Sequence, residues 1–514
     1  MLSLPVLTPA QARAWDAASA AAGIAPATLM DAAGRAAAAV VAARFPARCR
    51  GGVLVAAGLG NNGGDGWVVA RALHAAGMPV WVAALPGAPS PLQAAAAALA
   101  RAAGVREVAP DGPWPAAGLV VDAILGTGAR GAPRGAAGEL VARLADLDLP
   151  IVALDGPTGL DLADGVSHGA LHATLTITFG GYRRGQLLAR DECGDLVVVD
   201  IGFAPPDPGW PILFTSAGAA SLVAPFPSRA HKGTRGRVVI VGGAPGMTGA
   251  ARLAARAAFQ AGAGLVHVLA PAESVAVLAA AEPDVQVRAL GFDSPPDPES
   301  LALLARADAV VIGPGMGRGE QSGALVAAVL AAARAVVLDA DGLVAMQGRV
   351  AELAAHRALL LTPHLGEYRA LFPDQASAAA VDPWAAAESA AGITRATVLL
   401  KGVPSVVAHP GQPTLTVAAG NPGLATGGSG DCLAGFAATF LAQGLGPRDA
   451  AAVAAQALGE AADLAARRLG ARALRPMDIL AAAPDLWREW ERRRSTPPAG
   501  RPPHLHELPQ PRRS

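Results

Sequence analysis

Along the first half of the chain, short apolar runs alternate with stretches whose apolar residues recur at helical spacing. Gly52 to Ala57 (GVLVAA) reads as a buried strand, Gly66 to Ala76 as a helix, Pro79 to Ala84 as a strand, and Leu119 to Ile124 and Ile151 to Leu154 as two more strands. Unbroken apolar runs are what strands covered on both faces need, and intervening helices of this length suit parallel crossovers. The second half alternates in the same way. A strand from Arg237 to Val241 leads through a Gly-rich turn into an Ala-rich helix, and another strand follows at Leu265. Then come VVIGPGMG (Val310 to Gly317), VVLDADGL (Val336 to Leu343), LLLTPHLGEYRALF (Leu359 to Phe372) and VLLKG (Val398 to Gly402). The pattern predicts an α/β protein of two three-layer α/β/α domains, with ligands at the carboxyl ends of the strands.

The Pro- and Gly-rich stretch from Phe203 to Pro227, which includes APPDPGWP, reads as a linker and short connector. It sets the expected domains at 1–224 and 225–490. The remainder, 491–514, carries STPPAGRPPHLHELPQPRRS from Ser495, a Pro-rich aperiodic tail expected to be disordered. A chain of 514 residues exceeds what one core organises, in keeping with two domains. Its zero formal net charge offers no footprint for nucleic acid or an anionic membrane, and no apolar run approaches the roughly 20 residues of a membrane span. Small molecules are the expected partners. The N-terminus lacks a basic region ahead of an apolar run, and Cys49, Cys193 and Cys432 lie far apart, so a reducing cytoplasmic setting is expected.

Charge usage sharpens the reading. Only two of the 41 basic residues are lysines, Lys232 and Lys401, and each precedes a glycine beside a β-like run. A compact ammonium at a phosphate is a role arginine does not fill. The stretch Asn421 to Gly435, NPGLATGGSGDCLAG, opens a helical pattern with glycines that can aim successive N–H groups at one anion, where the helix dipole also favours it. Asp431 follows, placed to take a proton from a hydroxyl as that hydroxyl is phosphorylated. Lys401 can neutralise a nucleotide phosphate. His364, beside a proline, reads as a capped turn residue, Glu367 as first-turn helix, and Asp339 and Asp341 as either Mg²⁺ contacts or caps. In the first half, GLGNNGGDG (Gly58 to Gly66) packs two amides and a carboxylate into one turn after a strand. Asp122, followed by a loop carrying Arg130 and Arg134, and Asp155 end neighbouring strands, so one can serve as acid or base and the other can help bind a cation.

These motifs carry a resemblance. LMDAAG (Leu29 to Gly34), GNNGGDG (Gly60 to Gly66), DAILGTG (Asp122 to Gly128), LDGPTGLD (Leu154 to Asp161) and VVVDIGF (Val197 to Phe203) resemble the Rossmann-like YjeF N-terminal type of NAD(P)HX epimerase. The resemblance implies that Asn61, Asn62, Gly63, Gly64 and Asp65 bind the hydrated dinucleotide. The loop of Gly126, Thr127, Gly128, Ala129, Arg130, Gly131 and Ala132 would bind it too, with Asp155 catalytic at the nicotinamide. It also implies a potassium ion on Asn62, Asp122 and Thr158. Ala32, Thr158 and Arg183 stand where the family often has Asn, Ser and Lys. From about 225 to 490, KGTRG, VVGGAPGMTGAA-like, GPGMG, DADGL, TPHLGE and NPGLATGGSGD segments resemble, in family order, the ribokinase-like ADP-dependent NAD(P)H-hydrate dehydratase. That implies Ala250, Gly315, His364 and Asp431 at the hydrated nicotinamide, with Asp431 catalytic. Lys401, Gly402, Val403, Pro404, Ser405 and Gly430 would meet the adenine nucleotide. NADHX and NADPHX would be substrates, ADP the co-substrate with Mg²⁺, and a homo-oligomer is expected. The alternative is a ribokinase-like small-molecule kinase joined to a non-catalytic dinucleotide-sensing or interaction domain.

Overall fold

The computed structural model describes residues 4–495 and 505–511. The chain forms two compact units, one running to Trp210 and including the segment that ends at Gln510, the other beginning at Pro211. The division therefore falls before the expected linker ends. Ile212–Leu213 is a strand in the second unit's sheet, and Ser216–Leu222 is a helix packed in its core, so the stretch read as a connector belongs to the second unit.

In the first unit the strands are β1 (Val6–Leu7), β2 (Val53–Ala57), β3 (Val80–Ala84), β4 (Arg106–Val108) and β5 (Leu119–Ala123). They continue with β6 (Ile151–Leu154), β7 (Leu175–Phe179), β8 (Tyr182–Arg183) and β9 (Asp195–Val199). The main sheet runs β9-β7-β6-β5-β2-β3-β4, every neighbour parallel. The chain leaves β2 toward one edge and returns to β5 on its other side, so the loops after β2 and β5 part and leave a crevice between them. Helices Pro26–Arg44 and Asn61–Ala75 bury Val41 and Trp67 against one face, and Ala136–Ala145 buries Leu140 and Leu144 against the other. β1 and β8 form a separate parallel pair.

The predicted strands agree with the observed ones to within a residue or two. The helix after β2 does not: it starts at Asn61, five residues before the expected Gly66, so NNGGD is the first turn and a half of a helix and not a turn. Its glycines allow this. A Cβ on Gly58 would fall 1.9 Å from the Ile124 carbonyl oxygen, so only glycine lets the chain leaving β2 run against the chain leaving β5.

The second unit begins with β10 (Ile212–Leu213), then β11 (Arg237–Val241), β12 (Leu265–Ala270), β13 (Gln286–Ala289), β14 (Ala309–Ile312) and β15 (Val336–Leu338). It ends with β16 (Leu359–Leu361), β17 (Thr397–Leu400), β18 (Ser405–His409) and β19 (Gln412–Val417). The order β10-β19-β18-β17-β16-β15-β14-β11-β12-β13 is parallel from β13 to β17, with antiparallel β17-β18-β19 beyond. Here the switch point lies between β11 and β14. Val238, Ile240 and Val311 pack with the helices Thr248–Gln260, Ser429–Ala442 and Pro447–Leu469, while the alternate residues Val239, Val241 and Val310 are equally buried, so both faces are covered.

The tail departs from expectation. The last helix runs from Pro476 to Ser495, and Leu505–Leu508 is a strand, β20, which pairs antiparallel with β9 and makes the first unit's sheet eight-stranded. Residues 496–504 lie outside the described residues. No single helix among the described residues is long and apolar enough to cross a membrane.

The Gly58→Ala chain is expected to lose about 1–3 kcal/mol from the unfolding of the first unit, because backbone must move to admit the methyl. Gly128→Ala, where a Cβ meets nothing within 4 Å, should leave the denaturation midpoint unchanged.

Candidate active sites

In the first unit a cavity of 1080 Å³ opens over the carboxyl ends of β2, β5 and β6. Asn61, Asn62, Asp65, Gly126, Thr127, Gly128, Ala129 and Asp155 line it, as the motifs predict. Other expected residues sit differently. Gly63 and Gly64 face neighbouring chain, with Cβ positions 2.0 Å from the Gly58 carbonyl oxygen and 2.5 Å from Met30 Cε, so they serve close packing. Arg130, Gly131 and Ala132 are not among the lining residues, whereas Arg134 is.

Asp155 is built with care. Its backbone adopts φ +64°, a left-handed conformation that costs a non-glycine residue about 1–2 kcal/mol. The Thr127 N–H donates to its Oδ2 at 2.6 Å, and the Thr127 hydroxyl donates to the same oxygen. Arg183 Nη2 stands 3.1 Å from Oδ1, an ion-pair distance without aligned hydrogen-bond geometry, and its Nε donates to Thr127 Oγ1 at 3.1 Å. Gly126 is wedged between them, since a Cβ there would lie 3.0 Å from Asp155 Oδ2 and 3.1 Å from Asn62 Cβ.

Next to this lies the candidate cation site. Asp122 is fully buried and accepts from the Thr158 N–H and hydroxyl, both at 2.7 Å, and from the Ile124 N–H at 3.2 Å. Burial outweighs these bonds and pushes its carboxyl up to about 6. Both amide atoms of Asn62 are buried with no hydrogen-bond partner. An orphaned buried amide, and a buried carboxylate that no cationic side chain pairs with among the described residues, are oxygen donors of the kind a cation takes.

Sequence reasoning missed Asp16, on the helix Pro9–Ala21. It lines the same cavity, and burial raises its carboxyl against the pull of Arg183. Burial, with Asp155 and Asp16 nearby, pushes Asp65 well above the carboxylate range. The signal was present: Ala12, Asp16 and Ala20 share a helical face, and a carboxylate on an otherwise apolar stripe is unusual.

In the second unit the predicted residues gather at the ends of β15, β16 and β17. Lys401 Nζ lies 2.8 Å from Asp339 Oδ1 and 3.4 Å from Glu367 Oε2. Thr362 Oγ1 also donates to Asp339 Oδ1, at 2.8 Å. Burial pulls the ammonium down, but Asp339 and Glu367 outweigh it, and Lys401 is raised. His364 caps the helix Leu365–Leu371: its Nδ1 accepts from the N–H of Gly366 at 2.9 Å and of Glu367 at 3.2 Å, and Glu367 accepts the His364 N–H in return. Asp341 accepts from the Gly317 N–H at 3.0 Å, pinning the GPGMG loop. Ala250 and Gly315 touch, a Cβ on Gly315 lying 3.2 Å from that of Ala250.

Asp431 sits in the first turn of the helix Ser429–Ala442, whose N-cap Gly428 has φ +99°. Burial and Asp339 raise its carboxyl to about 7, with Lys401 pulling the other way and Asp341 and Glu367 adding to the rise. A Cβ on Gly430 would be 3.4 Å from Lys401 Nζ, so glycine there leaves the ammonium open to a ligand. The Lys401–Ser405 turn leaves Val403 72 % exposed. Lys232 is not part of this crevice. It lies in the turn before β11, with its carbonyl against Gly264 at the opposite end of the sheet. A second anchor escaped the sequence: Asp463 holds Asn421 Nδ2 at 2.8 Å and the Gly420 N–H at 3.2 Å, fixing the start of the Gly-rich loop.

Comparison with known proteins matches both halves. Residues 26–185 match the family model of the YjeF-related protein N-terminus, and residues 238–485 that of NAD(P)H-hydrate dehydratase. The chain is 37% identical over 435 residues to the bifunctional NAD(P)H-hydrate repair enzyme Nnr of Escherichia coli, covering 83% of each. It is 34% identical over 472 residues to the enzyme of that name from Coxiella burnetii, covering 89% of this chain and 94% of the other. The solved ADP/ATP-dependent NAD(P)H-hydrate dehydratase of Bacillus subtilis superposes with a TM-score of 0.48 and 24% identity, over 54% of this chain and 98% of that one. With both family models matched and relatives aligned over more than four fifths of its length, the chain belongs to the bifunctional NAD(P)H-hydrate repair enzyme family.

Proposed function

We propose that this chain repairs hydrated nicotinamide cofactors in the cytoplasm. The first unit interconverts the R and S epimers of NADHX and NADPHX. The second dehydrates the S epimer to NADH or NADPH while ADP becomes AMP and phosphate. One observation carries the reading: each half keeps an aspartate, Asp155 or Asp431, at the strand ends of its own crevice with one basic side chain close by, Arg183 or Lys401.

In the second unit the substrate's C6 hydroxyl gives its proton to Asp431 as its oxygen attacks the terminal phosphorus of ADP. The bond from that phosphorus to the bridging oxygen breaks, and AMP leaves. The lone pair on ring nitrogen N1 then expels phosphate from C6, and loss of a proton from C5 restores the C5–C6 double bond. ADP enters as its Mg²⁺ complex. The N–H groups of the GGSG turn hold the transferring phosphoryl group, Lys401 offsets its charge, and the Lys401–Ser405 turn offers exposed Val403 to the adenine. Ala250 and Gly315 leave room for the hydrated ring beside His364.

In the first unit, epimerisation requires the C6–O bond to break with help from N1 and water to re-add from the other face. Asp155 moves the proton at that oxygen, oriented by Thr127 and Arg183. Asn62, Asp122 and Thr158 would hold a potassium ion, which supplies the positive charge that Asp122 lacks and orders the loops on either side.

Four outcomes test the reading. With mixed R and S NADHX and MgADP, near-ultraviolet absorbance of NADH should return past the S fraction faster than spontaneous epimerisation; a plateau at the S fraction removes the epimerase, and no return with ADP or ATP overturns the proposal. Asp431→Asn should slow dehydration by about 10²–10⁴-fold, and the parent rate should rise with pH up to about 7 and level off above it. Stability runs the other way. The unfolded carboxyl ionises near 3.8 and the folded one near 7, so stability falls as pH rises between them, and Asp431→Asn should melt higher than the parent at about pH 8. Replacing potassium by choline should lower both R-epimer consumption and the melting temperature of the first unit, and Asp122→Asn should abolish that response.

A further inference from the structure

β9 is the edge of the first unit's parallel sheet, and Leu196 to Val199 along it are buried. An uncovered edge of this kind presents unpaired N–H and C=O groups. β20 covers it, with Leu505 opposite Val199 and Leu508 opposite Leu196. The strand is tied at several points. Arg44 lies 2.6 Å from Glu507 and 3.6 Å from Asp195. Arg190 Nη2 donates to the carbonyls of Leu508, at 3.2 Å, and Pro509, and the Gln510 N–H donates to Asp195 Oδ1 at 2.8 Å.

One contact reaches toward the site. The His506 imidazole Nδ1 meets the Tyr182 hydroxyl at 2.7 Å, and the two rings stand edge to face with centroids 5.9 Å apart. Tyr182 is fully buried, and burial pushes its hydroxyl up and the imidazole down, so the pair is neutral. Tyr182 and Arg183 are the two residues of β8, and neighbours in a strand point to opposite sides. Tyr182 turns to the tail, and Arg183 turns to Asp155 and Thr127.

We infer that residues 505–511 are a positioning element of the first site: β20, through His506 on Tyr182, fixes β8 from behind and so holds Arg183 against Asp155. The first unit is thus completed by a segment that follows the whole dehydratase half, so its site is fully formed only once residues 505–511 have been made. The inference rests on the epimerase reading of the first unit.

The test compares the full chain with one ending at residue 504, each assayed for R-NADHX consumption and, on pure S-NADHX with MgADP, for dehydration. If the full chain does not consume the R epimer, the epimerase reading itself fails. If it does, truncation should lower kcat for the R epimer by about tenfold or more with a smaller change in KM, since a small misplacement at a reacting centre is costly. Dehydration of the S epimer should not change. A synthetic peptide of residues 503–511 should restore R consumption, and the same peptide carrying His506→Ala should restore less. In the full chain, Tyr182→Phe should lower kcat for the R epimer while leaving the melting temperature of the first unit within a few degrees. An unchanged R rate after truncation overturns the inference. So does a loss that accompanies unfolding of the first unit and that the peptide does not reverse, because the tail would then be structural only.

Discussion

Both crevices depend on the same constraint: several carboxylates are held near the carboxyl ends of parallel strands, partly out of water, with a largely buried basic side chain, Arg183 or Lys401, among them. Burial disfavours the charged form of a carboxylate, and like charges nearby disfavour it further. In the first unit Asp16, Asp65 and Asp155 line one cavity with Arg183, and Asp16, Asp65 and the buried Asp122 are all raised. In the second, Asp339 and Glu367 pair with Lys401, Asp341 pairs with Arg318, and Asp431, near all three carboxylates, carries the rise. Parallel topology makes this crowding hard to avoid, because every strand delivers its first loop residue to the same edge of the sheet. The helix N-termini that meet this edge offset part of the cost.

What the sequence made legible followed from this topology. Apolar runs of four to six residues located the strands, and the aspartates and Lys401 at their ends located the crevices. The misses have physical causes. The helix at Asn61 was read as starting at Gly66 because glycines and asparagines favour turns in isolation; here Gly58 and Gly63 let the helix start against neighbouring backbone, a tertiary effect that propensity does not contain. The domain division was placed late because β10 has only two residues set in Pro-rich surroundings, too short for any period to show.

β20 was missed for a related reason. LHEL does not alternate apolar and polar residues, four residues carry little signal, and none of them is fully buried, so the strand's stability comes from backbone pairing and from Arg44, Arg190 and Tyr182. Those partners lie more than 300 positions away. Lys232 and Lys401 show the limit from the other side. Both survive in an arginine-rich chain and both precede glycine, but only Lys401 ends a strand, while Lys232 precedes one. Position relative to strand direction, more than residue type, decides which of them enters the crevice.

The two units place Arg183 and Lys401 differently, and the difference is the one the proposed chemistry would need. Arg183 is placed on Asp155 itself, through a guanidinium that also holds Thr127, so the Asp155 carboxylate is oriented by two groups on a residue in a strained left-handed conformation. Lys401 is placed on Asp339 and Glu367 instead, leaving Asp431 with no direct cationic partner among the described residues. Burial and then Asp339 raise Asp431 to about 7, and Lys401, held on other carboxylates, offsets only part of that rise. A carboxylate near its ordinary value would be too weak a base for a hydroxyl proton, whereas one titrating near neutrality balances basicity against the fraction ionised. Moving Lys401 onto Asp431 would tighten the site electrostatically, lower that carboxyl and weaken it as the base proposed for the hydroxyl proton.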